Sequence, residues 1–204
     1  MEKPLISYVV TTYNIEQYVE ESVRCAFSQT YFPLEIVLSD DCSTDHTFDI
    51  MQKMAKEYKG PHKIILNRNE SNLGITKHMN KVYLELATGE IIVAAHGDDI
   101  SKPERTESSY EYLKNNPQCT AVSFGIDAID EKGNFLKAHS ASVDSLCTYN
   151  FEGGGNIPGS GTNDEDNSQM VLLASKKGSL LSSYTWQDYN TIGLFLTEGM
   201  LDRP

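Results

Sequence analysis

Four short apolar runs, each followed by a longer polar segment, set the pattern of the first hundred residues. Each run is rich in β-branched and other apolar side chains and is bounded by turn-forming residues, which predicts a buried strand. The predicted strands cover residues 5–11, 35–39, 63–66 and 90–95.

Between these runs the apolar residues recur every three or four positions, which predicts amphipathic helices. The third of these is expected over about residues 75–87 and the fourth over about 103–115. Polar residues and a glycine flank the predicted helices at positions that favour helix caps. The residues expected to begin or end the helices are Asn14 with Gln17, Thr44 with Asp45, Gly89, and Ser101 with Glu104 as a capping box.

Strands that alternate with helices predict an α/β fold, with a mostly parallel sheet covered by helices. Right-handed crossovers then bring the carboxyl ends of successive strands to one edge of the sheet. The pattern changes after residue 117. There the sequence predicts a strand over 120–124 and a hairpin of antiparallel strands at 127–130 and 135–137. Farther on it predicts a long polar loop over 138–169, a short strand at 170–174 and a last helical segment over 186–196.

The composition of this 204-residue chain limits its partners. A formal net charge of −12 argues against nucleic acid as a partner, because nucleic acids are bound through basic patches. The four cysteines are scattered without metal-finger or disulfide spacing, and no long apolar segment indicates a leader or a membrane span. We expect a cytoplasmic protein, with attachment to the inner face of a membrane through sequence outside this chain as the alternative.

Two pairs of adjacent acids follow predicted strands. Asp98 and Asp99 end the stretch 89–99, and Asp40 and Asp41 follow the second strand. Carboxylates at a sheet edge would repel each other and the phosphates of a nucleotide unless a divalent cation lay between them. Carboxylate oxygens are the ligands that Mg²⁺ and Mn²⁺ prefer. The sequence therefore predicts a metal-bridged phosphate site, and the alternative for the pair at 98–99 is a solvated acidic turn.

Three stretches together resemble the inverting family 2 glycosyltransferases with the GT-A fold. They are residues 9–14 (Val-Val-Thr-Thr-Tyr-Asn), residues 37–45 (Val-Leu-Ser-Asp-Asp-Cys-Ser-Thr-Asp), and the segment that runs from Asn72-Leu-Gly74 to His96-Gly-Asp-Asp99. The resemblance covers roughly residues 5–125. It implies a nucleotide-sugar-binding subdomain over 1–125 and an acceptor-side subdomain over 126–204, which is expected to be incomplete.

The resemblance also assigns roles to residues of the donor site. It implies that Thr11, Tyr13 and Asp41 hold the nucleoside, with Tyr13 against the base and Asp41 accepting a ring N–H. The alternative for Tyr13 is a packing aromatic under the first helix. Asp98 and Asp99 are implied to share the ribose hydroxyls and the Mn²⁺ or Mg²⁺ that bridges the diphosphate.

His96 stands where relatives frequently carry a first acid of the metal motif. An imidazole can ligate Mn²⁺ but suits Mg²⁺ poorly, so this departure leaves the identity of the metal open. His96 is a tentative metal ligand here, and a hydrogen-bonded wall residue is the favoured alternative.

The general base of the family is expected late in the chain, where a carboxylate must take the proton of the acceptor hydroxyl. Asp188 stands at that position, with Trp186 beside it as a candidate for sugar stacking. Helix capping is the alternative role of Asp188. The acidic cluster at 164–166 is a rival, but a glycine-flanked run positions a base poorly.

The resulting prediction is a metal-dependent transferase that moves a sugar from a nucleotide-diphosphate donor, with UDP favoured, to an acceptor hydroxyl. The acceptor would be a carbohydrate or a lipid-linked sugar in surface polysaccharide or glycolipid synthesis. The main alternative is a non-catalytic nucleotide-sugar or carbohydrate-binding domain of the same fold. A nucleotidyltransferase and an NAD-dependent oxidoreductase rank lower, because no glycine-rich loop follows the first strand.

Overall fold

The computed structural model describes residues 2–117, 122, 126–130 and 133–139. Strands and helices alternate along the first part of the chain, and two strands follow at its end. The elements are β1 (Ile6–Thr12), α1 (Val19–Phe27), β2 (Leu34–Asp40), α2 (Thr47–Glu57), β3 (Lys63–Arg68), α3 (Ile75–Lys81) with a π-helical continuation (Val82–Leu86), β4 (Ile91–His96), α4 (Arg105–Asn115), β5 (Ile126–Ile129) and β6 (Phe135–His139).

The first four strands form one parallel sheet in the order β3-β2-β1-β4. β1 lies between β2 and β4, with Thr12 opposite Asp40 of β2 and Thr11 opposite His96 of β4. The predicted α/β fold with a parallel sheet is confirmed. Because the strands are parallel and in this register, the residues that follow β1, β2 and β4 meet at one edge.

Helices cover both faces of the sheet, so the strands are apolar on both sides. On one face Ile6, Tyr8 and Val10 of β1 pack in a cluster with residues of α1, α2 and α4. On the other face Val9 packs with Met79 of α3 and with residues of the π-helical turn. β1 is therefore held from both sides, which fixes the position of its carboxyl end.

Two of the predicted N-terminal helix caps are wrong. α1 begins at Val19, and Asn14 instead accepts the backbone N–H of Thr44 on its Oδ1 at 2.8 Å. α4 begins at Arg105, whose guanidinium donates to Ser101 Oγ at 2.8 Å, so Ser101 caps no helix. In both cases a polar side chain that could cap its own helix instead bonds elsewhere in the fold.

The predicted start of α2 is close to the observed one. Asp45 accepts the backbone N–H of Thr47, the first residue of α2, on Oδ1 at 2.9 Å. The other oxygen of Asp45 accepts the N–H of Glu16 at 3.1 Å. This carboxylate therefore links the loop after β1 to the start of α2.

Gly89 has a different role from the predicted one. It is not among the positive-φ residues of the described chain, and the preceding helical turn ends at Leu86. A Cβ at position 89 would lie 2.6 Å from the backbone nitrogen of Ser7. Glycine is needed here because the backbone before β4 passes close to β1, and the prediction of a left-handed helix end is wrong.

The predicted hairpin is confirmed, since β5 and β6 pair antiparallel. β6 extends to His139, two residues into the predicted loop. Val122 is the one described residue of the predicted strand 120–124. The rest of the predicted loop, the strand at 170–174 and the last helical segment lie outside the described residues. Within the described part, no helix combines the length and the apolar character needed to cross a bilayer.

Candidate active site

The loops that follow β2 and β4 are both bonded to the end of β1. The backbone N–H of Asp41 donates to Thr12 O at 2.9 Å, and the N–H of Gly97 donates to Thr11 O at 3.0 Å. A Cβ at Gly97 would lie 2.3 Å from Ile15 Cδ1 and 2.6 Å from Thr12 Cγ2, so a larger residue here would require these side chains to move. The acids that follow the two strands are thereby brought to the same edge of the sheet.

A cavity of about 410 Å³ opens at this edge. Four residues predicted to hold the nucleotide line it together with His96. Tyr13 is 46% exposed, so it does not pack under α1. Asp99 is next to the cavity in sequence but does not line it, and Asp188 lies outside the described residues. The lining residues are Thr11, Thr12, Tyr13, Ile15, Asp41, Asn72, Gly74, Ile75, His78, Met79, His96, Gly97 and Asp98.

Asp41 is buried and is held by the loop after β3. Its Oδ1 accepts Asn69 Nδ2 at 2.7 Å and the N–H of Leu73 at 2.9 Å, and its Oδ2 accepts the N–H of Gly74 at 3.0 Å. A carboxylate has about four acceptor positions. One position on Oδ2 is therefore left for a donor in the cavity.

The second acid pair has a different environment. Asp98 is exposed, whereas Asp99 is partly buried. Burial and, second to it, the charge of Asp98 together raise the pKa of Asp99 to about 6, while Arg105 and a backbone hydrogen bond with His96 oppose this shift. The surroundings of Asp99 therefore stabilise its ionised form poorly, and a bound cation would stabilise that form.

One ring nitrogen of His96 faces β1, since Nδ1 lies 3.2 Å from Thr11 Oγ1. Burial lowers the pKa of His96, and the charge of Asp98 partly offsets this. The imidazole is therefore neutral near pH 7 and forms part of the cavity wall.

The acid pair fits a divalent cation that is shared with a ligand. Among the described residues no group of three or more His, Cys, Asp or Glu side chains could hold a metal ion. Mg²⁺ is usually bound through one or two carboxylates, with substrate phosphates and water filling the remaining positions. Asp98 and Asp99 supply two such carboxylates, which suits a cation that arrives with a diphosphate.

One side of the cavity was not predicted from the sequence. Asn72 and Gly74 belong to the loop after β3, and Ile75, His78 and Met79 belong to α3. The available signal was that β3 also ends at this edge of the sheet, so the loop after it had to border the same space. His78 could not be singled out from the sequence, because a lone histidine in an amphipathic helix indicates no particular role.

The family model described as "Glycosyl transferase family 2" matches residues 7–172 of this chain. The chain belongs to this family. Its described cavity lies inside the matched range, as do all the residues predicted for the donor site. The predicted family is confirmed.

Curated glycosyltransferases match this chain over part of their own length. An uncharacterized glycosyltransferase of Haemophilus influenzae is 36% identical over 63% of this chain and 39% of the relative. A putative teichuronic acid biosynthesis glycosyltransferase, TuaG of Bacillus subtilis, is 31% identical over 72% of this chain and 56% of the relative. The chain thus spans about half the length of the curated relatives it matches.

A solved structure of the same architecture carries a donor and a metal. It is a mannosyltransferase from Pyrobaculum calidifontis in complex with GDP-Man and Mn²⁺. The two chains are 26% identical, with a TM-score of 0.56 over 62% of this chain and 36% of the other. The likeness agrees with a GT-A fold.

Proposed function

We propose that this chain forms the donor-binding part of a metal-dependent inverting glycosyltransferase. It would transfer a sugar from a nucleoside diphosphate donor, with UDP favoured, to an acceptor hydroxyl. The observation that carries the proposal is the single cavity in which Thr11, Tyr13, Asp41 and Asp98 meet at the carboxyl edge of the parallel sheet. Membership of the family and the GDP-Man complex of the Pyrobaculum calidifontis enzyme support it.

Different residues of the cavity would contact different parts of the donor. The exposed ring of Tyr13 offers a face on which a base can stack. The remaining acceptor position of Asp41 can take the ring N–H of that base, and Asp98 can accept a ribose hydroxyl. Each contact orients the donor, and orientation alone lowers the barrier to displacement.

Asp98 and Asp99 would hold Mn²⁺ or Mg²⁺ in this site. The cation supplies Lewis acid chemistry, because it offsets the negative charge that builds on the leaving diphosphate. His96 would form part of the wall beside Thr11, since its Nδ1 is within hydrogen-bonding distance of Thr11 Oγ1. The Mn²⁺ in the Pyrobaculum calidifontis complex supports the choice of metal.

The acceptor side remains a proposal based on the sequence. We assign the donor site to residues 1–125 and the acceptor side to 126–204, where Asp188 would take the proton of the acceptor hydroxyl. The teichuronic acid role in the printed name of TuaG supports a carbohydrate or lipid-linked acceptor in surface polysaccharide synthesis. Such a role fits a cytoplasmic enzyme that works at the inner face of a membrane.

Release of UDP from UDP-sugars tests this function. We expect release that requires Mn²⁺ or Mg²⁺ and is lost in Asp188→Asn, while calorimetry shows that Asp188→Asn still binds UDP. Asp164→Asn is the matched control, because it removes an acid of the rival cluster and should leave the rate unchanged. Binding without turnover for every donor and acceptor would contradict the catalytic role and favour a binding domain.

A further inference from the structure

His78 of α3 borders the cavity but has no role in the function proposed above. It is 4% exposed, and its Nε2 lies 2.7 Å from Ser39 Oγ. Its other ring nitrogen, Nδ1, makes no hydrogen bond to the described part of the chain. In that part, the one fully buried side-chain nitrogen or oxygen without a partner is Nδ1 of His62, so Nδ1 of His78 is not fully buried, and His78 lines the cavity.

A chain of hydrogen bonds that begins at Asn69 determines which nitrogen of His78 carries the proton. Asn69 Nδ2 donates to Asp41 Oδ1 at 2.7 Å, and Asn69 Oδ1 accepts Lys81 Nζ at 2.8 Å. A carboxylate only accepts and an ammonium group only donates. The amide of Asn69 is therefore fixed in one orientation.

Asn67 transmits this orientation to Ser39. Asn67 Nδ2 donates to Asn69 Oδ1 at 3.1 Å and to Ser39 Oγ at 2.9 Å. The buried hydroxyl of Ser39 thus accepts from Asn67, and its own hydrogen must go to another acceptor. His78 Nε2 is the acceptor within reach in the described part of the chain.

The ring of His78 therefore carries its proton on Nδ1. Burial lowers the pKa of His78, and the charges of Asp41 and Asp40 offset only part of this, so the ring is neutral near pH 7. A neutral imidazole whose Nε2 accepts has N–H at Nδ1. The cavity lining thus contains a donor at His78 and an acceptor at Asp41, whose charge is close enough to act on the pKa of His78.

We propose that His78 determines base specificity by donating from Nδ1 to a ring carbonyl, while Asp41 accepts the neighbouring ring N–H. This inference rests on the proposed function, because it requires a nucleoside diphosphate in the cavity. Uracil and guanine both carry a ring N–H beside a C=O. Where that carbonyl is O4 of uracil or O6 of guanine, cytosine and adenine present an amino group in its place and a ring nitrogen lone pair beside it, so both contacts would become repulsive. The pair therefore selects uracil and guanine nucleotides over cytosine and adenine nucleotides.

Binding of UDP, GDP, CDP and ADP by calorimetry in Mn²⁺ tests the selection. We expect UDP and GDP to bind more tightly than CDP and ADP. His78→Phe should lower the ratio of UDP to CDP affinity about fivefold to tenfold, because one hydrogen bond is lost. His62→Phe is the matched control, since it replaces a buried histidine on the far side of the sheet from α3, and should keep the ratio of the wild-type chain.

The ring proton can also be observed without a ligand, so the test does not depend on how well His78→Phe folds. Long-range ¹H–¹⁵N NMR of the wild-type chain should show the Nδ1–H form of His78, and Ser39→Ala should mix the two forms and lower the UDP to CDP ratio. An Nε2–H form, or equal losses of UDP and CDP affinity in His78→Phe, would overturn the role of His78. If no nucleoside diphosphate binds in Mn²⁺, the proposed function itself fails.

Discussion

Two pairs of adjacent aspartates follow the two strands that flank β1, and the fold treats them differently. Asp40 and Asp41 are buried at 0% and 3% exposure, and both accept hydrogen bonds from the surrounding loops. Asp98 is exposed, and Asp99 has a raised pKa beside it. The same pair of residues at the same edge therefore has its negative charge largely satisfied by protein donors in one loop and poorly satisfied in the other.

The difference lies in the number of donors around each pair. Asp40 accepts the N–H of Ser43 at 2.9 Å and lies 3.6 Å from Arg68 Nε, so its negative charge is compensated inside the protein. Among the causes of the pKa shift of Asp99, Arg105 is the one charged side chain that opposes the rise. A bound cation would compensate the negative charge of Asp98 and Asp99, as the loop donors compensate the charge of Asp40 and Asp41.

The largest effect is expected for Asp99→Asn. Without this carboxylate the cation loses a ligand, so the Mn²⁺-dependent gain in UDP affinity should fall about a hundredfold. Thermal unfolding without metal should show no loss of stability, because the ionised form of Asp99 is unfavourable in the folded chain. A variant that binds Mn²⁺ and UDP like the wild-type chain would contradict the metal role of Asp99.

Asp40→Asn should instead reduce stability. The amide oxygen can still accept the N–H of Ser43, but the NH₂ group replaces the oxygen that accepts Ser43 Oγ, and the charge beside Arg68 is lost. Together these losses should cost about 2 kcal/mol of unfolding free energy. Urea unfolding measures this loss. Asp98→Asn is the matched control on the other pair and should change the free energy by less than about 0.5 kcal/mol, because its side chain is exposed. Equal losses in the two variants would remove the contrast between the pairs.

Mn²⁺ binding should depend on pH through Asp99. Because its pKa in the folded chain is about 6, Asp99 holds a proton below that pH and must release it to bind a cation. The affinity for Mn²⁺ should therefore rise about tenfold from pH 5 to pH 7 and then level off. Titration calorimetry at several pH values checks this, and a similar rise in Asp99→Asn would assign the proton to another group.

The sheet could be predicted from the sequence because its signals are local. Each strand is an apolar run, and parallel pairing follows from the helices between the runs. The ends of the helices were harder to predict, since Asn14 and Ser101 had two competing sets of partners. Which set wins depends on the distance to Thr44 and Arg105, and a local pattern does not contain that distance.

The site could be predicted in part for a similar reason. Asp41 and Asp98 follow strands whose ends must meet, so their shared cavity follows from topology. The different environments of the two acid pairs did not follow, because the donors of Asp41 come from Asn69, Leu73 and Gly74 in a loop without periodic pattern. The role of His78 could not be predicted for the same reason, since its ring proton depends on five other side chains.

The smallest expected effect concerns the turn that follows Asp40 and Asp41. Cys42 follows Asp41 directly and has φ of +64°, a conformation that disfavours side chains with a Cβ. Cys42→Gly should therefore stabilise the chain by about 1 kcal/mol in urea unfolding. Cys25→Gly is the matched control in the interior of α1, where glycine should destabilise by a similar amount. If Cys42→Gly destabilises as well, the backbone of this turn is held by the Cys42 side chain rather than by the hydrogen bonds to Asp40 and Asp41.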